Sequence, residues 1–281
     1  MRGLFSDLQN HKLNYIVNFI VAFLFLVPFL WIVSTSFKKS SDIVKYPPEW
    51  IPDNFTFDNY QSIFTLQNGV FLNYFLNSAI LTISTVLIVT LVGAFAGYGF
   101  SKLNIPFKNI ILMLILVTLM IPFHGLLIPL FSIMKGLNLL NTHIALVIIY
   151  VTFQLPFAVF MLKNSFDALP NSLREAALID GYSDIQTFLK IALPLVWPGL
   201  ATVAIFSAYT TWNDFLIALV FANSNELKTL NVGLTNLAVG QYGTNWGLLS
   251  SGSIISFIPI ILLFFFLQRY FISGLTSGSV K

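Results

Sequence analysis

The chain has 281 residues, 57% of them hydrophobic and only 9% charged, with a net charge of +3 and a mean hydropathy of +0.83. Soluble domains carry about 25% charged residues, so an ordinary water-soluble core is excluded, and the small, dispersed positive charge gives no footprint for nucleic acid. The lack of any cysteine removes disulfides, thiolate metal sites and cysteine nucleophiles together.

In chain order, the polar stretch MRGLFSDLQNHKLN precedes an uncharged run, Tyr15–Phe37. This run is longer than a signal-peptide core and ends in IVSTSFKK without a small-residue cleavage pattern. A retained first span is therefore expected. Further apolar runs cover Phe75–Phe100, Ile110–Phe131, Ile144–Lys163, Leu195–Phe221 and Leu248–Phe271. Each approaches the ~20 residues that cross hydrocarbon as a helix. The expected fold is an all-α polytopic membrane protein of about six transmembrane helices. Pro28, Pro122, Pro129, Pro156, Pro198 and Pro259 fall inside the runs, and packed neighbours can satisfy the carbonyls they free.

Between the first two spans, Lys38–Tyr74 contains YPPEWIPDNFTFDNYQSIF. Its prolines stiffen the loop, while Trp50, Phe55, Phe57 and Tyr60 give it apolar surface to bury, so a folded cap is expected. With both termini cytoplasmic, Arg2, Lys12, Lys102, Lys108, Lys163, Arg174, Lys190, Arg269 and Lys281 lie inside. Lys38, Lys39, Lys45, Lys135 and Lys228 then lie outside. Nine against five agrees with the positive-inside rule, although Lys38 and Lys39 directly after the first span oppose it.

The segment NSLREAALIDGYSDIQTFLKIALP, Asn171 to Pro194, carries five charges between two apolar runs. Ser172 with Glu175 matches a capping box, and predicts a helix of about two turns, ending near Ile179 with Gly181 as the left-handed C′ residue. Ser183 with Gln186 repeats the box and predicts a second helix, with Ile185, Phe188, Leu189 and Ala192 on one face. Two isolated turns are unstable in water, so the first helix must dock. Its shallow face of Leu173, Ala176 and Ala177 suits another backbone better than lipid headgroups, which favour bulkier apolar residues and more basic ones.

Glu175, Ala176, Ala177, Gly181, Ile191, Leu193 and Pro194 stand at the spacing of the EAA loop, and the segment resembles that loop of binding-protein-dependent ABC importer permeases. WNDF at 212–215, NWG at 245–247, the tail LQRYFISGLTSGSVK and PPEWIPDNFTFDNY in the first loop are similar to the carbohydrate-uptake class, in particular its maltose-transporter-type second permease. The resemblance implies the type I importer permease fold in a bacterial or archaeal cell membrane. Residues 1–74 would form the N-terminal segment, first span and outer loop, 75–272 the permease core with the EAA loop at 171–194, and 273–281 a cytoplasmic tail. It further implies a second permease subunit, two cytoplasmic ABC ATPases that bind ATP and magnesium, an extracellular solute-binding protein, a di- or oligosaccharide as substrate, and surrounding lipid. Ser172, Leu173, Arg174, Glu175, Ala176, Ala177, Asp180 and Gly181 would couple to the ATPase.

Polar groups inside spans are costly and functional by default, which nominates Asn77, His124, Gln154, Tyr209, Trp212, Asn213 and Asp214 for the substrate path. Gly93 and Gly97 form a G-x-x-x-G that predicts close helix packing. Neither a P-loop nor an H-E-x-x-H pattern occurs, so no catalytic residue, metal site or cofactor is expected in this chain. Two alternatives are a permease for a non-sugar solute, such as an osmolyte or phosphate ester, and an ion-coupled secondary transporter. The latter would need intramembrane carboxylates and inverted repeats, of which only Asp214 offers a trace.

Overall fold

In the computed structural model the structure describes residues 2–240 and 243–276, with side chains described over 14–66, 68–239 and 243–266. His11, the cations Arg2, Lys12, Arg269 and Lys281, and the side chains of the 267–281 tail fall outside that set. The helices are α1 (Arg2–Ser36), α2 (Ser40–Ile43), α3 (Asp58–Thr65), α4 (Val70–Lys102), α5 (Lys108–Val117), α6 (Phe123–Gly136) and α7 (His143–Asp167). They continue with α8 (Asn171–Ile179), α9 (Asp184–Thr187), α10 (Leu193–Leu195), α11 (Trp197–Trp212), α12 (Leu216–Phe221), α13 (Leu230–Ala238) and α14 (Trp246–Thr276). A two-strand hairpin, β1 (Val239–Gly240) against β2 (Gly243–Thr244), precedes α14. All-α architecture is as expected.

Among the described residues, Asn14–Ser36, α4, α7 and Trp246–Phe266 are each long and apolar enough to span a membrane as single helices. Two expected spans are instead broken. The run Ile110–Phe131 bends by 101° between Lys108–Met120 and Phe123–Gly136. Pro122 forces the residue before it out of the helical region; Ile121 is extended, at φ −80° and ψ 118°, after a 3₁₀ turn. The run Leu195–Phe221 splits as well. Asp184–Leu195 meets α11 at 77°, with Val196 at ψ 16° and Pro198 in the first turn of α11, and α11 stops at Trp212 before the separate helix α12. With each bent pair taken as one span, the total is six.

The chain forms two compact units, Met1–Phe71 with Leu234–Phe257, and Leu72–Gly233 with Ile258–Lys281. Boundaries at 74 and 272 describe span order, not these units. In the first unit, the loop after α1 is a folded cap. Phe37 stacks on Phe55 at 4.4 Å and meets Phe57 and Tyr60 at 5.5 and 5.2 Å. Asn59 donates to the carbonyls of Ser36 and Lys38 at 2.9 and 2.8 Å. Lys38 is only 1% exposed. Its ammonium donates to the carbonyl of Glu49 and lies 4.3 Å from the Trp31 ring centroid, a cation–π contact worth about 2 kcal/mol when desolvated. Burial lowers its pKa, and the nearby Glu49 charge opposes that shift.

The second unit is organised by the approach of α4 to α7. A Cβ on Gly93 would lie 3.0 Å from Ala158 Cβ, and one on Gly97 would lie 2.8 Å from the backbone N of Lys163. The G-x-x-x-G is thus a close helix contact, as its spacing predicts: Gly97 meets backbone and Gly93 meets the Ala158 methyl. Around it, Val89, Ala94, Tyr98, Ala158, Leu162, Phe166, Phe188, Ala192, Val196, Leu200 and Val203 form one continuous core. A second core joins α7 to α12, with Leu146, Ile149, Tyr150, Ile217 and Phe221 buried together.

Gly97→Val should disrupt this packing, because the neighbouring atoms belong to backbone and cannot swing aside; overpacking of this kind costs ~1–3 kcal/mol or more. Detergent-extracted variant protein should show a sharply reduced monodisperse fraction by fluorescence-detected size exclusion. Gly99→Ala, whose new Cβ meets nothing closer than 3.6 Å, should behave as wild type.

Candidate functional site

The charged segment folds as two short helices around a left-handed turn. Gly181 has φ +82°. The N–H of Tyr182 donates to the Ala177 carbonyl at 2.9 Å, and that of Gly181 to Leu178 at 3.1 Å. This pair of bonds is the Schellman motif. Ser183 and Gln186 form the predicted capping box, with reciprocal bonds of 3.3 and 3.0 Å. The box expected at Ser172 and Glu175 is absent. Pro170, extended at ψ 140°, occupies the N-cap, so Ser172 already sits inside the first turn and cannot act as a cap.

The exposed edge also differs from expectation. Ala177 is 3% exposed and turned into its own chain, whereas Ile179 is 85% exposed. Leu173, Ala176 and Leu178 are also open. In the second helix Phe188 and Ala192 are buried while Ile185 and Leu189 are exposed. The π-helical turn Phe188–Ala192 adds a residue to the local repeat and disrupts the single face predicted from α-helical spacing.

Side chains that the sequence pattern did not flag hold this segment in place. Arg174 meets Asp184 at 2.8 Å through both Nε and Nη2, tying α8 to α9. Lys102, at the end of α4, donates to the Leu169 carbonyl at 2.5 Å and to Asn171 Oδ1 at 3.0 Å. Asp167, at the end of α7, accepts from Ser101 at 2.6 Å and from Lys163 at 2.5 Å. A carboxylate at a helix C-terminus opposes the macrodipole, so Asp167 was a legible signal that partners must be close. Glu175, Ser172 and Asp180 are exposed.

The polar residues of the spans divide into two groups. Asn77 donates to the carbonyls of Glu226 and Lys228 at 2.7 and 3.1 Å, and its Oδ1 pairs with His143 Nε2 at 3.0 Å. Gln154 donates to Thr211 at 2.9 Å and accepts from Ser207 at 2.5 Å. Asp214 accepts from Tyr150 at 2.8 Å and from the N–H groups of Ile217 and Ala218, thereby capping α12. Trp212 is buried edge-on to Phe75 at 5.4 Å. These four are tied into the fold. His124, Tyr209 and Asn213 are exposed; Tyr209 and Asn213 are four residues apart, and Asn213 donates to the Tyr209 carbonyl at 2.9 Å. No cluster of three or more His, Asp or Glu side chains that could hold a metal occurs among the described residues.

Residues 89–277, which contain the whole charged segment, match the family described as binding-protein-dependent transport system inner membrane component. The chain belongs to this family. It is a multi-pass membrane permease of the ABC-importer type. Its relatives include the arabinooligosaccharides transport system permease protein AraQ of Halalkalibacterium halodurans, 38% identical over 93% of this chain and 93% of that protein. The trehalose transport system permease protein SugB of Mycobacterium tuberculosis is 36% identical over 91% and 92%. The permease also shares its fold, at a TM-score of 0.82 and 24% identity, with a chain in a crystal structure of a bacterial ABC transporter involved in alginate import, covering 95% of this chain and 98% of that one. The likeness thus extends over nearly the full length of this permease.

Asp214→Ala should destabilise the protein by about 1–3 kcal/mol, since it orphans the buried Tyr150 hydroxyl and two backbone donors. Tyr209→Ala should leave the unfolding temperature unchanged. A thermal-shift series in detergent reads both.

Proposed function

We propose that this permease is one of two membrane subunits in an ATP-driven importer that receives a di- or oligosaccharide from an extracellular binding protein and passes it across by alternating access. The observation that carries this reading is α8: a two-turn helix braced at both ends, yet displaying Ile179, Leu178 and Leu173 outward. A braced helix with an uncovered apolar edge is suited to a cleft on another protein. The partner is a cytoplasmic ATPase, one of two, which binds the ATP and magnesium that this sequence has no P-loop to hold. Both termini and α8 face the cytoplasm, and the basic residues are distributed accordingly.

The sugar assignment draws on the named substrates of the arabinooligosaccharide and trehalose relatives. Within the chain, Tyr209 and Asn213 combine an aromatic face with a planar amide on one exposed helical edge, the pairing a carbohydrate needs. His124 is the third exposed candidate. Asn77, Gln154 and Asp214 act by fixing the helices around the path.

In proteoliposomes holding the complete transporter, labelled arabinotriose or trehalose should accumulate with ATP, while glycine betaine and glycerol phosphate should not. The reverse selectivity would refute the sugar assignment, and uptake driven by an ion gradient without ATP would refute the importer itself. Gly181→Val should lower uptake at least about tenfold while ATP hydrolysis persists, because a β-branched residue at positive φ costs ~1–2 kcal/mol or more. Gly181→Asn, which tolerates that conformation, should retain most of the uptake. Normal uptake by the valine variant would defeat the coupling role of this turn.

A further inference from the structure

The link from α7 to α8 is only three residues, Ala168, Leu169 and Pro170, and on its N-terminal side α8 is joined covalently to α7 and not to α4. The polar contacts at this elbow reach to a different helix. Lys102 Nζ, on the last turn of α4, donates to the Leu169 carbonyl inside the link and to Asn171 Oδ1 at the first residue of α8. One turn-step earlier, Ser101 donates to Asp167, which Lys163 also holds. Asp167 is thereby anchored against its unfavourable position at a helix C-terminus. Lys102 satisfies a carbonyl that the α7 ladder leaves free, and it is only partly exposed.

We infer that Lys102 and Ser101 are positioning residues that make α4 a second driven helix, so that displacement of α8 is delivered to α4 and α7 as one body. This rests on the coupling reading of α8 given above. Three observations combine. The elbow is too short to bend freely while the Leu169 carbonyl is held. Both of its flanks, Asp167 and Asn171, are bonded to consecutive residues of α4. Above it, α4 and α7 are locked at Gly93 and Gly97, where a single Cβ would collide with the facing helix, so a push at the elbow cannot be absorbed by sliding. A lysine that merely solvates a helix end would share none of this dependence; its removal would alter stability and leave the efficiency of energy use unchanged.

The test uses the complete transporter in proteoliposomes, with labelled arabinotriose and trehalose as probes and sugar moved per ATP hydrolysed as the readout. Lys102→Met should lower that ratio at least about tenfold, the scale of losing a charged hydrogen bond. Lys102→Arg, which can donate to both acceptors, should restore it to within about twofold. In parallel, Ile179→Cys in this cysteine-free chain carries a thiol-to-amine crosslinker that reports contact with the ATPase. An unchanged cross-link with a reduced ratio supports the inference. An unchanged cross-link with a wild-type ratio in Lys102→Met overturns it and leaves the coupling reading standing. Failure of Ile179→Cys to reach the ATPase in the unmodified background overturns the coupling reading itself. Should Lys102→Met not assemble, Ser101→Ala decides: a wild-type ratio there, or a reduced ratio not mirrored by Asp167→Asn, overturns the strut.

Discussion

The approach of α4 to α7 at Gly97 leaves no room for a single additional carbon, with backbone facing backbone at 2.8 Å from where a Cβ would stand. In hydrocarbon, where apolar side chains gain nothing by leaving lipid for protein, such close contact is a main source of helix association. The rest of the second unit follows from it. Tyr98 and Phe166 are brought edge to face at 5.4 Å, and Phe188 of the charged segment packs on both, at 5.1 and 6.1 Å. The segment that sits outside the spans is therefore rooted in the same core that sets the α4–α7 distance. Its geometry is inherited from the bundle and is not that of a loop.

How much of this could be read from sequence depended on whether the deciding interaction was local. The Schellman turn at Gly181 and the capping box at Ser183 involve only near neighbours, and the pattern of residues names them. The capping box at Ser172 has the same pattern but lost to Pro170, whose fixed φ and extended ψ start the helix two residues earlier. Prolines show the same limit. Pro28, Pro129, Pro156 and Pro259 lie inside continuous helices, whereas Pro122 stands at a 101° break. Hydropathy counts apolar residues along a run and cannot register the bend. The π-helical turn at Phe188–Ala192 was illegible for a related reason: a one-residue change in repeat follows from packing Phe188 into the core, and no residue type announces it.

Among the polar residues, the useful distinction is the use made of their hydrogen-bonding capacity. Asn77, Gln154 and Asp214 look alike in sequence as costly groups at membrane depth. Each has at least one partner far along the chain: Glu226 and Lys228 for Asn77, Thr211 and Ser207 for Gln154, and Tyr150 for Asp214. Those partners lie more than fifty residues away, so nothing local could reveal them. Cost and exposure therefore part company here: these groups fix helix ends and loops, while Tyr209 and Asn213 are left exposed.

The charge count that sets orientation gains from the same reasoning. Lys38 and Lys39 together oppose an outward loop after the first span, and Lys39 is exposed. A lysine donating to the Glu49 carbonyl, resting on Trp31 and 1% exposed is an internal brace of the folded cap, and its charge is not presented to the membrane surface as a free positive group. On the orientation expected from sequence, discounting Lys38 leaves four outer cations against nine inner ones. The end of α4 that carries Ser101 and Lys102, the end of α7 that carries Asp167, and α8 are gathered at one end of the bundle by their shared hydrogen bonds.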